Sequence, residues 1–188
     1  YKTALALNAD YSMVSVSGYG IISGFTNDGN KIPEQTIPQY YDKLGFSYNK
    51  FADSITVSET EWDFERYKPD IIVINLGTND MNYATTDERK AEFEDGYLDF
   101  LKKVRSLNPD SYIFQTYGVM GTSLEENIEN VRRKYMSETG DERITFIPLT
   151  MQDEDADGIV ADWHPSPRTH SLVSQKVTAA IKKTLGYK

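Results

Sequence analysis

Apolar residues cluster in four short runs, at positions 11–16, 71–76, 112–117 and 144–149. Each is rich in β-branched or aromatic side chains and apolar on both faces. That pattern predicts strands covered by helices on both sides. Between the runs the period changes to that of a helix. Thr85 with Glu88 forms a capping box ahead of a stripe made by Phe93, Tyr97, Phe100, Leu101 and Val104, and Asn108-Pro109 ends it. Ser123 with Glu126 repeats the box before Leu124, Ile128, Val131 and Tyr135, with Gly140 as the stop. Ser166-Pro167 opens a last helix that runs to Lys182-Lys183 and stops at Gly186. Residues 1–7 read as the back half of a further helix. Between Gly20 and Tyr67 the pattern is irregular, with a short helix expected within 32–44 and a helical turn within 61–67. Alternating strands and helices predict an α/β fold with a parallel sheet.

Composition narrows the class. The chain has 188 residues, 39% of them hydrophobic and 26% charged, as expected of one ordinary globular domain with a sizeable core. No repeat or low-complexity linker divides it, so residues 1–188 are expected to form one domain. No apolar run approaches the roughly 20 residues of a membrane span, and no membrane partner is expected. A net charge of −9 would repel the phosphates of nucleic acid. With no cysteine, disulfides, thiolate zinc sites and a cysteine nucleophile are excluded. Tyr1 has no methionine before it, so the lack of a signal peptide says nothing about the compartment.

Candidate chemistry gathers at two places. Gly77-Thr78-Asn79-Asp80 follows a strand-like run, which puts polar side chains at the carboxyl edge of the sheet, where open α/β folds bind ligands. The Asn79 amide can donate to a charge developing on a carbonyl oxygen; the same residues also suit a plain turn and cap. His164 lies in a loop just before the last helix, flanked by Asp162, Trp163 and Pro165. A histidine there can accept a serine proton, and the Asp162 carboxylate can orient it from the same loop. His170 reads as structural. Gly18, after the first predicted strand, allows a backbone N–H to approach a ligand closely. The acidic stretch 153–158 opens like a calcium loop, but its twelfth position is His164 instead of glutamate, so a solvated acidic loop is the better reading and no metal is expected. Asp162, His164 and His170 supply no full set of zinc ligands. Trp62, Trp163 and 13 tyrosines could stack on sugar rings, and Trp163 is the one that adjoins the candidate base.

With those residues in view, the chain resembles the catalytic domain of carbohydrate esterase family two, within the SGNH or GDSL hydrolases. The resemblance runs in order through Leu7 to Tyr11, Ser17 to Gly20, Trp62 to Phe64, Lys68 to Asp70, Asn75 to Asp80 and Ala161 to Ser166. It implies a three-layer α/β/α sandwich, flavodoxin-like, with strand order 2-1-3-4-5. It also implies an esterase that removes O-acetyl groups from xylan or related polysaccharides through a serine acyl-enzyme, without a cofactor. His164 then matches the base and Asp162 the aspartate near it, and in this family a backbone carbonyl sometimes supports the histidine in place of a carboxylate. Gly18 N–H and the Asn79 side chain match the oxyanion-hole donors, and Trp163 would touch substrate. Polysaccharide substrates imply a secreted protein. The Gly-Asp-Ser block that carries the nucleophile in such enzymes is absent: none of Ser12, Ser15, Ser17 and Ser23 follows Gly-Asp, and none is nominated. The first strand is accordingly expected to be missing from this chain, leaving an open slot between 11–16 and 71–76. An upstream segment of the same protein, or another polypeptide, would fill it and bring the serine. Two other functions fit the sequence: a carbohydrate-binding remnant without turnover, and a related lipase or thioesterase.

Overall fold

The computed structural model describes residues 1–46, 50–51 and 54–187. Among them the main sheet is parallel and has the order β3-β4-β5, formed by Ile71–Asn75, Tyr112–Tyr117 and Ile144–Pro148. Ile71 stands opposite Tyr112, and Ile113 opposite Ile144. A short antiparallel pair, β1 (Lys50–Phe51) and β2 (Ile55–Thr56), lies outside this sheet.

Helices cover both faces, giving the expected α/β/α sandwich. On one face α2 (Asp87–Leu107) and α3 (Glu125–Thr139) bury their stripes against Ile74, Ile113 and Tyr117. Phe93, Tyr97, Leu101, Val104, Ile128, Val131 and Tyr135 are all fully buried there, each contributing on the order of 1.5–3 kcal/mol by leaving water. On the other face α5 (Pro167–Leu185) brings Val177 and Ile181 onto Phe114, Ile147 and Leu149. The six-residue α1 (Lys2–Leu7) lies along α5, with Lys2 Nζ donating to Pro167 O at 3.2 Å and to Ser171 Oγ at 2.5 Å.

The stops fall where the sequence puts them: Gly140 and Gly186 end α3 and α5, and Ser166 caps α5 by accepting from Arg168 N and Thr169 N. Two starts move by a residue or more. Thr86, not Thr85, caps α2, accepting from Arg89 N. Leu124 precedes α3 with no side-chain cap, since the first turn closes through Glu125 N and Thr122 O. Within 32–44 the helix is one 3-10 turn, Ile37–Gln39.

The expected strand at 11–16 does not form. Tyr11, Met13 and Val14 are exposed, Met13 by 64%, and the segment joins no ladder among the described residues. A strand exists through its inter-strand hydrogen bonds, and these residues find none. β3 is correspondingly an edge strand, with Val73 44% exposed.

Arg105 and Asp141 tie the end of α2 to the start of β5. Arg105 pairs with Asp141 at 2.6 Å and donates to Asn108 O and Ser111 O, while Asp141 accepts from Tyr135 Oη and Arg143 N. Burial raises the Asp141 pKa, but the hydrogen bonds from Arg143 and Tyr135 and the Arg105 charge outweigh it and leave it lowered. The native carboxyl therefore titrates below the unfolded one. Its contribution is complete above the unfolded value of about 3.9 and is lost as pH falls through the native pKa. Asp141→Asn should lower the urea midpoint at pH 7, and the difference between the two proteins should shrink as the pH falls below the unfolded carboxyl value of about 3.9. Parallel midpoint-versus-pH curves would show that the pair contributes nothing.

Candidate functional site

The parallel strands deliver three loops to their carboxyl edge. After β3 the chain turns at Gly77, whose φ of 117° excludes most other residues, and Gly77 O accepts from Asp80 N and Met81 N, both at 3.1 Å. This turn holds Asn79 half-buried with Nδ2 donating to Tyr19 O at 2.8 Å. One amide hydrogen is committed there, which fixes the plane of the side chain and leaves the second hydrogen for a ligand. The next residue, Asp80, points inward and is fully buried. Its carboxylate accepts from Ile21 N, Ile22 N and Ser23 N at 2.8–3.1 Å. Burial pushes its pKa up, against the pull of those three N–H groups.

Gly18 sits in a turn one residue before the carbonyl that Asn79 holds. Gly18 O accepts from Phe25 N at 2.8 Å, and Gly20 pairs with Thr36. The Gly18 N–H donates to no acceptor among the described residues. The two donors named from the sequence, Gly18 N–H and Asn79 Nδ2, are thus brought together through Tyr19.

The loop after β5 builds the other half. Leu149 N donates to Tyr117 O at 2.7 Å, and Gln152 N to Val119 O at 3.0 Å. Gln152 Nε2 then reaches Trp163 O at 2.7 Å. The loop closes on itself through Val160 N to His164 O at 2.9 Å and an antiparallel bridge between Ile159 and Pro165. Ser166 Oγ holds its base by donating to Asp157 O. Inside this closure Asp162 and Trp163 both have left-handed backbones, φ 54° and 60°, an arrangement that non-glycine residues adopt at a cost of about 1 kcal/mol or more each.

That strain decides what supports His164. The tight turn folds Ala161 O back to 3.2 Å from His164 Nδ1. A carbonyl oxygen only accepts, so Nδ1 carries the proton and Nε2 presents its lone pair. Asp162 does not orient His164 as the sequence suggested: its side chain is exposed and makes no hydrogen bond or ion pair with the imidazole among the described residues. Trp163 is 62% exposed beside the histidine.

Packing joins the halves. Met81, at the end of the Gly77 turn, fills the space over Gly121 and lies 3.9 Å from Tyr117 Oη. The loop after β4 in turn carries Val119, which holds Gln152 and hence Trp163. An oriented Asn79 amide, the Gly18 N–H (unpaired among the described residues) one residue from the carbonyl that Asn79 holds, and a histidine of defined tautomer therefore lie in loops at one edge of the sheet.

Residues 16–172 match the GDSL-like lipase/acylhydrolase family. The chain belongs to that family. Its sheet and helices superpose on an acetyl xylan esterase, Est2A, from the rumen bacterium Butyrivibrio proteoclasticus, with a TM-score of 0.88 and 25% identity over 100% of this chain and 55% of that one. A family two carbohydrate esterase from Clostridium thermocellum, in complex with cellohexaose, gives 0.81 at 32% identity over 99% and 53%. The cellulase/esterase CelE of Acetivibrio thermocellus is 32% identical over 98% of this chain and 21% of its own length. The chain thus spans about half the length of those solved structures and about a fifth of CelE.

Sequence reasoning about this GDSL-like chain missed two participants, Asp80 and Gln152, and left a third without a residue number. Asp80 was visible only as a turn residue, and its burial follows from the loop 21–23 closing over it. A backbone carbonyl was the alternative support for His164, and the fold identifies it as that of Ala161, which has no side-chain signal of its own. Gln152 is polar and unremarked, and only the fold brings it to Trp163. In the acidic stretch Asp153 caps the turn α4 (Glu154–Asp157) by accepting from Ala156 N, and Asp157 pairs with Arg168 at 2.7 Å. The four serines considered as substitutes divide: Ser12, Ser15 and Ser17 are exposed, while Ser23 is buried, donating to Gly24 O and accepting from Ile32 N.

Nitrogen-15 spectra of the His164 ring above pH 8 should show the proton on Nδ1, and Asp162→Asn should leave that tautomer unchanged. A mixed tautomer population in Asp162→Asn alone would return the carboxylate to the imidazole.

Proposed function

We propose that the protein carrying this chain hydrolyses O-acetyl esters on the hydroxyls of xylan or a related plant polysaccharide, through a serine acyl-enzyme. The observation that carries this reading is the pairing of an oriented amide donor with a histidine of fixed tautomer at one sheet edge. Asn79 Nδ2 is held by Tyr19 O beside the Gly18 N–H, and His164 Nδ1 is held by Ala161 O.

The serine belongs to a segment outside residues 1–188, added as a strand along the free edge of β3. The exposure of Val73 there supports this. Its Oγ attacks the acetyl carbonyl carbon while His164 Nε2 takes the hydroxyl proton. The oxyanion that forms is met by Gly18 N–H and the second Asn79 amide hydrogen. The Ala161 carbonyl stabilises the imidazolium, the part a carboxylate plays in a full triad. Collapse breaks the bond to the sugar oxygen, which leaves with the proton from His164. Water then repeats the sequence on the acyl-enzyme, releasing acetate and restoring the serine. Trp163, exposed beside His164, gives the sugar a face to stack on. The scheme uses side chains and backbone donors alone. Substrates of this kind lie outside cells, which places the working protein there.

A second reading has its own support. The exposed Trp163, and a relative solved with cellohexaose bound, fit a domain that holds carbohydrate without turning it over. Acetate release from acetylated xylan by the nucleophile-bearing protein separates the two. Asn79→Ala and His164→Ala should each lower kcat by about a hundredfold or more, with circular dichroism unchanged. Near-normal turnover in either variant would falsify the assignment. Xylan binding without acetate release by the unmutated protein would select the binding module.

A further inference from the structure

Asp80 takes no part in the chemistry above, yet four hydrogen bonds converge on its carboxylate. Oδ1 accepts from the N–H groups of Ile21, Ile22 and Ser23 at 3.0, 2.8 and 3.1 Å, and Oδ2 accepts from Ile21 at 2.9 Å. No cation acts on it among the described residues. Successive N–H groups turned toward one point form a nest that would suit any small anion. Here the protein's own side chain fills the nest, and the backbone dipoles take the place of water around the charge.

The segment held in this way is the one that carries the Gly18 donor. Gly20 fits against the carboxylate so closely that a Cβ there would lie 2.4 Å from Asp80 Oδ2 and 2.2 Å from Ser23 O. Asn79, the neighbour of Asp80, holds the preceding residue of the same segment through Tyr19 O at 2.8 Å. Two adjacent side chains on one rigid turn thus grip the segment on either side of Gly20. One is the proposed side-chain donor of the oxyanion hole, and the other fixes where the backbone donor sits relative to it.

The geometry points to Asp80 as the positioning residue of the oxyanion hole, setting Gly18 N–H against Asn79 Nδ2 without touching substrate. This rests on the esterase reading. Its size follows from how steeply donors depend on placement: a displacement near 1 Å can lose about a hundredfold in rate.

The test uses the nucleophile-bearing protein with two variants. Asp80→Ala removes every acceptor. Asp80→Asn keeps one oxygen, which at the Oδ1 position still serves Ile21, Ile22 and Ser23. A fluorophosphonate probe separates position from folding, because its final labelling extent counts folded sites and its rate constant reads the hole. Asp80→Ala should label to full extent at a rate about ten- to a hundredfold lower, and Asp80→Asn should stay within about threefold of the unmutated protein. A purely structural role would lower the extent and leave the rate constant alone, and that result overturns the proposal. Asp80→Asn replaces the Oδ2 that accepts from Ile21 N with an NH2, and its falling as far as Asp80→Ala overturns the proposal as well, since the acceptor kept at the Oδ1 position would then position nothing. Should Asp80→Ala fail to fold, Gly20→Ala strains the same junction from the other side, and a normal labelling rate there overturns the proposal. Hydrogen exchange reads the grip without any chemistry. Amides of residues 18–23 should lose protection in Asp80→Ala while those of β4 keep it, and equal protection in both would overturn it. If the unmutated protein takes no label, the esterase reading fails, and exchange still decides whether Asp80 holds the segment.

Discussion

A carboxylate buried without a cation is costly, several kcal/mol in an interior that offers nothing in return, so the site of Asp80 dictates what surrounds it. Hydrogen-bond donors offset the loss of water, and among the described residues the donors that reach the carboxylate are the backbone N–H groups of residues 21–23. The segment after Gly20 must therefore run over the Gly77 turn. Once it does, Tyr19 O falls to Asn79, and Gly18 is carried to the sheet edge with its N–H free of acceptors among the described residues. A long irregular stretch, which by itself has little reason to adopt one conformation, is anchored by Asp80 and Asn79 at the end of a strand and by Asn82 and Arg89 further on.

The histidine is positioned by a different means. Within 159–165 the loop is held, among the described residues, by two left-handed non-glycine residues locked in a closed ring of backbone hydrogen bonds and by Gln152 Nε2 on Trp163 O, with the Asp157–Arg168 pair flanking it. Strain of this kind persists only where neighbours over-determine it. What it gains is a carbonyl on Nδ1, which fixes the tautomer without a second ionisable group. The two halves of the site thus use opposite devices, a buried charge and a strained backbone, and both act through carbonyls and N–H groups that no sequence motif displays.

That contrast explains what could be read from the residues in advance. The stripes Phe93–Tyr97–Leu101–Val104 and Ile128–Val131–Tyr135 and the stops at Gly140 and Gly186 were readable because each depends on local spacing. So did the cap at Ser166, where serine precedes proline. Thr85 and Thr86 are two adjacent candidates for one cap, and only the chain's entry into α2 selects between them. Asp162 looked like a partner for His164 because a single residue separates them in sequence, yet side-chain reach depends on φ, and a left-handed turn reverses it. Residues 11–16 have the composition of a strand, but strand formation depends on a partner that composition cannot supply.

Edge strands are ordinarily guarded by charge, proline or a bulge that discourages further pairing. β5 ends in Pro148 and carries Thr145, whereas Ile71–Asn75 has no charged residue or proline in its length. β3 has the composition of an interior strand, with Val73 nearly half exposed on the edge it occupies. Pairing one more strand there would satisfy main-chain groups at about 0.5–1.5 kcal/mol per hydrogen bond and cover Val73 as well. It would also set the incoming chain's carboxyl end level with Gly77 if it ran parallel, beside the loops that hold Asn79 and His164. On the proposed esterase reading, a nucleophile arriving by that route would need no loop of its own to reach the edge that carries Asn79 and His164, because the register of β3 would place it.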